Sequence, residues 1–253
     1  MGSRASRALA GTSLGVVAGG VTLLAVEALV ASLRRYLPPD SAPPVEGVRG
    51  DISRPLLRLT MLGDSTAAGV GATRTEDTVG GLLADGLADD YQVVLSSVAV
   101  SGSRTGDLGP QVSRALLLRP DVAVVLIGAN DAIRGTAVPA AARSLFDAVH
   151  RLRDAGVAVV VGTCPDMGAR AFAWPLRELA AWQGRRIARA SAIATHQADG
   201  AVVALGELCG PLFRAEPESL SSDHFHPSEL GYRIWADTLL PAVRHAASTR
   251  QAS

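Results

Sequence analysis

The sequence predicts an α/β protein, a three-layer α/β/α sandwich around a five-stranded parallel sheet. Three observations lead there. Five short apolar runs end in turn-forming residues, longer segments with helical apolar spacing lie between them, and the two kinds alternate without exception. Parallel neighbours cannot be joined by a tight turn, so the intervening helices act as crossovers of the preferred right hand and cover both sheet faces.

The elements follow in order. A first strand, Leu57–Leu62, runs into Gly63-Asp64-Ser65-Thr66, and a helix is expected at about Thr75–Ala88. A second strand, Gln92–Val98, precedes Val100-Ser101-Gly102-Ser103 and a helix at Leu108–Leu118. The third, Val122–Ile127, ends in Gly128-Ala129-Asn130-Asp131, with a helix at Pro139–Asp154 after it. The fourth and fifth strands, Ala158–Gly162 and Ala201–Leu205, are each followed by a helix, at Pro175–Ala198 and near Ser228–Ala247. No internal repeat or second domain is visible, so residues 56–247 read as one domain and 248–253 as a disordered tail.

The N-terminal residues form a separate object. Arg4 and Arg7 precede a stretch from Ala8 to Val26 that carries no charge. As a helix at 1.5 Å per residue it would span roughly 28 Å, close to the hydrocarbon core of a bilayer. Residues 1–35 are therefore read as a membrane anchor, with a cleaved signal segment as the alternative. The apolar region is long for a signal, and Leu29-Val30-Ala31 is a poor cleavage site. From Tyr36 to Pro55 the chain carries Pro38, Pro39, Pro43, Pro44 and Pro55, the composition of an extended tether. Such an arrangement places the domain on the membrane or beyond it, on the exterior face.

Composition removes several function classes. With 48% hydrophobic and 19% charged residues the chain can bury a core, which excludes wholesale disorder. Basic and acidic residues balance at 24 each, leaving no electrostatic footprint for nucleic acid. Gly69-Val70-Gly71 lacks the later glycine of a dinucleotide fingerprint and the Gly-Lys-Ser/Thr of a phosphate loop. The two cysteines, Cys164 and Cys209, follow neighbouring strands, so either a disulfide or two reduced buried thiols is compatible with the pattern.

In a parallel α/β sheet, reactive groups emerge beyond the carboxyl ends of strands. Ser65 stands at such a place, where free backbone N–H groups favour negative charge, although a helix N-cap is the plain alternative. Asn130 at the third strand end can offer its amide to an oxyanion, and Gly102 allows close approach of a backbone N–H. Near the C-terminus, Asp223-His224-Phe225-His226-Pro227 could supply a base and the carboxylate that orients it. A metal site from Asp223, His224 and His226, or a loop capping the last helix through Ser228, are the other readings of that segment.

Taken together, these blocks resemble the SGNH (GDSL-type) serine hydrolases, an esterase and lipase family named for Ser, Gly, Asn and His in four segments. Gly63-Asp64-Ser65, Gly102, Gly128-x-Asn130-Asp131 and Asp223-x-x-His226-Pro227 stand in the family's order, and the likeness covers about Arg58 to Val243. One departure is visible: the second block often carries an Asn before its Gly, whereas Ser97, Val98 and Ala99 stand here. The resemblance implies a flavodoxin-like sheet of order 2-1-3-4-5. It implies Ser65 as nucleophile, His226 as general base and acid, and Asp223 as its orienting partner. The N–H groups of Ser65 and Gly102 with the Asn130 side chain would form an oxyanion hole. No cofactor or metal is expected, and the substrate would be a small-molecule or lipid ester. Asp64 and Asp131 are read as structural. Met167, Phe172 and Trp174, after the fourth strand, are candidate acyl-pocket residues, with simple apolar docking of a helix as the alternative. Transfer of the acyl group to an acceptor other than water, or a non-catalytic membrane-tethered binding module, are the competing functions.

Overall fold

The structure is a computed structural model that describes residues 36–168 and 173–250. The expected anchor or signal segment, Phe172 and the last three residues lie outside the described residues. Among the described residues, no helix is long and apolar enough to cross a membrane.

Six strands form one sheet: β1 (Gly47–Arg49), β2 (Leu56–Gly63), β3 (Gln92–Ser97), β4 (Val122–Leu126), β5 (Ala158–Gly162) and β6 (Ala201–Val203), in the order β1-β3-β2-β4-β5-β6. β2 through β6 are mutually parallel and have the strand order the resemblance implies. The expectation of five strands is corrected by β1, which pairs antiparallel with β3, Gly47 opposite Leu95 and Arg49 opposite Val93. Without β1, the unpaired N–H and C=O groups of β3 would form the sheet edge. Three residues are too few to show a period, which is why this strand is not legible in the sequence.

Residues expected as a free-standing tether are thus partly built into the domain. Val45 is buried, the Thr75 hydroxyl donates to the Pro44 carbonyl at 2.8 Å, and Arg49 pairs with Asp85 at 2.9 Å.

β4 and β5 are buried at every position, as strands covered on both faces must be. Along β4 the period of two divides the side chains between two cores. Val122, Val124 and Leu126 join Leu83, Leu87, Trp235 and Leu239 on one face, from helices α1 (Val79–Leu87) and α8 (Glu229–Arg250). Ala123 and Val125 join Leu108, Val112, Leu145 and Leu152 on the other, from α2 (Leu108–Leu117) and α4 (Val138–Asp154). The 22-residue α5 (Leu176–Gln197) packs against α4.

Differences from the expected elements have local causes. The helix expected from Thr75 is a single 3₁₀ turn, Thr75–Asp77, followed by extended Thr78, whose hydroxyl accepts the Gly81 N–H and caps α1. The short helices α3 (Ala129–Ile133), α6 (Leu205–Leu208) and α7 (Gly210–Ala215) are below the length at which periodicity shows, and Leu205 opens α6 instead of closing a strand. α8 continues to Arg250, beyond the expected start of the tail. Cys164 and Cys209 are both buried and free, so the disulfide alternative is not realised, and burial raises the pKa of both thiols.

The end of β2 admits no side chain. Gly63 has φ +133°, and a methyl group there would overlap the Leu126 carbonyl oxygen, which accepts the Asp64 N–H at 3.1 Å. Gly63→Ala should therefore lower stability by about 3 kcal/mol or more, through backbone strain and lost strand pairing. Urea unfolding of the two proteins checks this; coincident midpoints would contradict it.

Candidate active site

β2 lies between β3 and β4, so the loop after it opens at the point where the crossovers diverge to either side, the usual crevice of such sheets. That loop is clamped before it reaches Ser65. The buried Gln111 amide accepts the Gly63 N–H at 2.8 Å and donates to the Gly63 carbonyl at 2.9 Å, replacing a strand partner. Asp64 accepts the Thr66 N–H at 3.0 Å and the Thr66 hydroxyl at 2.8 Å, and the Ser65 carbonyl accepts the Val70 N–H at 3.0 Å. Ser65 is not a helix cap, since the next α-helix begins fourteen residues on and is capped by Thr78.

The Ser65 hydroxyl oxygen lies 3.0 Å from His226 Nε2, and His226 Nδ1 lies 2.7 Å from Asp223 Oδ2. The sequence separation of 161 residues between serine and histidine is closed by the fold alone. Asp223 is satisfied on both oxygens: Oδ1 accepts the N–H groups of Phe225 and His226 at 2.9 and 3.0 Å, and Oδ2 accepts the Leu37 N–H at 3.0 Å besides the ring. Burial by itself pushes the Asp223 carboxyl up, but these hydrogen bonds outweigh it and hold its pKa well below the usual range. A charged carboxylate can only accept, so Nδ1 carries the ring proton and Nε2 turns its lone pair to the serine hydroxyl. The turn is pinned from outside by Ser221, whose N–H donates to the His226 carbonyl and whose hydroxyl donates to that of Pro227.

Gly102, with φ +81°, and Asn130 border the same cleft as Ser65 and His226. Among the described residues, the backbone N–H groups of Ser65 and Gly102 have no acceptor. The Asn130 amide spends one hydrogen on the Ser103 carbonyl at 3.1 Å, which fixes its plane and leaves the second. Asp131 is fully buried and accepts the N–H and hydroxyl of Thr105 at 2.9 and 2.8 Å, tying α3 to the loop after Gly102.

The cleft has a volume of about 810 Å³ and a largely apolar wall that includes Leu37, Ile133, Leu176, Leu179 and Trp182. Ser65 and Asn130 also border a second, narrow cavity of about 50 Å³, lined in addition by Met167, Phe213 and Trp235. His224 faces this second cavity and stands outside the hydrogen-bonded chain. Of the expected acyl-pocket residues, Met167 lines the narrow cavity while Trp174 is exposed and borders neither space. Among the described residues no group of three or more His, Cys, Asp and Glu side chains could hold a metal ion.

The sequence reading missed Gln111, Leu37 and the cleft wall. A polar residue on the apolar face of α2, between Leu108, Val112 and Ala115, is the signal that would have marked Gln111. Nothing marks Leu37, which acts through its backbone.

Comparison with known proteins bears on this geometry. Residues 61–234 match the model of the GDSL-like lipase/acylhydrolase family. The chain belongs to that family. Over 200 residues it is 42% identical to a GDSL-like esterase of Mycobacterium tuberculosis, an overlap of 77% of this chain and 64% of that protein. The chain thus spans less than two thirds of the length of this relative. Two crystal structures share the fold at low identity. TesA superposes with a TM-score of 0.58 at 22% identity, covering 75% of this chain and 99% of its own. The psychrotrophic esterase EstA of Pseudoalteromonas sp. superposes with a TM-score of 0.58 at 18% identity, covering 74% and 97%. The segment before residue 61, including Tyr36 and Leu37, lies outside the family match.

In this family member Asp64 and Asp223 are shifted in opposite directions. Burial raises the Asp64 pKa to about 6, against the lowering effect of its bonds from Thr66. With an unfolded value near 3.9, its contribution to stability is full below that value and is lost as pH rises through the folded one. Asp64→Asn keeps an acceptor for Thr66 and removes the titration. The variant should gain about 2–3 kcal/mol on the wild type as pH rises from 4 to 7. Urea unfolding across that range reads the difference, and a gap independent of pH would contradict the assignment.

Proposed function

We propose that this chain is a serine esterase that hydrolyses carboxylic esters by two-step acyl transfer on Ser65. The observation that carries the reading is the unbroken line from the Ser65 hydroxyl through His226 to the Asp223 carboxylate, at 3.0 and 2.7 Å, on the wall of an apolar cleft. The esterase activity of the Mycobacterium tuberculosis relative supports it.

The geometry supports the following steps. His226 Nε2 takes the hydroxyl proton as Ser65 Oγ attacks the ester carbonyl, and Asp223 stabilises the imidazolium that results. Negative charge collects on the former carbonyl oxygen, where the N–H groups of Ser65 and Gly102 and the second amide hydrogen of Asn130 receive it. His226 then gives its proton to the leaving alcohol, and the acyl group remains on Ser65. A water molecule deprotonated by the same Nε2 attacks the acyl-enzyme and releases the acid, and the proton returns to Ser65. Asp64 and Asp131 hold loops and move no proton.

The substrate we assign is an ester with an extended apolar part. The wall formed by Ile133, Leu176, Leu179 and Trp182 offers such a chain a place to leave water. The uncharged run from 8 to 26, read as an anchor, fits a lipid-like ester presented near a membrane.

Ser65→Ala should abolish turnover of a chromogenic ester and stop covalent labelling by a fluorophosphonate; a rate equal to wild type would end the proposal. Asn130→Ala should lower kcat by roughly a hundredfold with little effect on KM, because its second hydrogen serves only the developing oxyanion. Across p-nitrophenyl esters from acetyl to octanoyl, kcat/KM should rise with chain length, and a steady fall would exclude the apolar-chain assignment.

A further inference from the structure

We propose that residues 36–39 form a strap that completes the active site, with the Leu37 N–H and the Tyr36 ring acting as positioning groups for Asp223 and His226. The inference rests on the esterase reading above and adds a part that lies outside the family match.

The Asp223 carboxylate accepts four hydrogen bonds, and three of them come from its own turn, from Phe225, from His226 and from the His226 ring. Among the described residues the fourth donor is the only one from elsewhere: the Leu37 N–H, 186 residues away in the chain. It meets Oδ2, the same oxygen that holds the imidazole. The Phe225 and His226 N–H groups hold Oδ1, and the Leu37 N–H is the one donor besides the ring that holds Oδ2, so it restrains the oxygen on which the direction of the imidazole depends. Charge-assisted bonds of this kind are among the stronger ones in proteins.

A second contact acts on the same ring. Tyr36 meets Phe225 edge-on with centroids 5.0 Å apart, and Phe225 meets His226 edge-on at 4.9 Å. Three rings in sequence thus connect the strap to the imidazole. Tyr36, Leu37 and Pro39 also border the cleft beside Ser65 and His226, so the strap serves as a wall of the site as well as a brace.

The chain beyond the strap keeps it in place. The Ser41 hydroxyl donates to the Pro38 carbonyl, Val45 is buried, and β1 joins the sheet edge. Pro38, Pro39, Pro43 and Pro44 restrict the undocked segment, which reduces the entropy lost on docking. The composition that reads as a tether therefore also suits a segment that must lie down in one path.

Leu37→Pro in the full chain is the direct test. Residue 37 precedes Pro38 and so favours an extended backbone, which a proline can adopt while losing its N–H. Loss of one charge-assisted bond should lower kcat and the rate of fluorophosphonate labelling about tenfold, with KM changed far less. Leu37→Ala keeps the N–H and trims the cleft wall, so its loss should appear in KM with kcat within about twofold of wild type. Tyr36→Ala should lower the labelling rate about threefold by releasing Phe225, and it reads the strap independently should the proline variant not fold. Labelling of Leu37→Pro or of Tyr36→Ala at the wild-type rate would overturn the proposal while leaving the esterase reading intact. No labelling of the wild-type chain would remove the esterase reading itself, and the strap with it.

Discussion

A buried carboxylate stays charged only if hydrogen bonds replace the water it has lost, and the candidate site depends on one that meets this condition. Asp223 has a side chain only 3% exposed, and both its oxygens are filled. Because it remains an acceptor, the tautomer of His226 is fixed, and with it the lone pair that faces Ser65. Asp64 shows the alternative. Its side chain is buried with donors from Thr66 alone, and burial raises its pKa.

The rest of the fold serves to bring distant short segments to one rim. β2 is central and parallel to both neighbours, so the turns after β2, β3 and β4 open on the same edge of the sheet. Gln111 and Asp131 then fasten those turns to one another, the first by holding both backbone groups of Gly63, the second by joining α3 to Thr105. These are buried polar groups with full partners, which fix loops more tightly than apolar packing can because their geometry is directional. The cleft above them needs no such precision, and it is lined accordingly by apolar side chains.

The parallel core was legible because strands buried on both faces leave uninterrupted apolar runs, such as Val122–Leu126 and Ala158–Gly162. The four blocks of the candidate site were legible through their resemblance to the SGNH pattern, in which Gly63-Asp64-Ser65, Gly102, Asn130 and the Asp223–His226 turn stand in the family's order, since each alone is an ordinary local pattern. What escaped was either too short to carry a period, as with β1 and α3, or carried by the backbone, as with the Leu37 N–H. Composition misled at residues 36–55, since prolines describe how a segment extends and do not say whether it extends into solvent or along a surface.

The order of strands and helices, the candidate catalytic side chains and the local pattern of the Asp223–His226 turn were readable in the sequence, because each depends on residues a few positions apart. The approach of Ser65 to His226, the fourth donor on Asp223, the free state of two buried cysteines and the wall of the cleft were decided only in three dimensions. Those features join segments up to 186 residues apart, and no local preference of the chain encodes a distance that only the packed sheet and its helices can set.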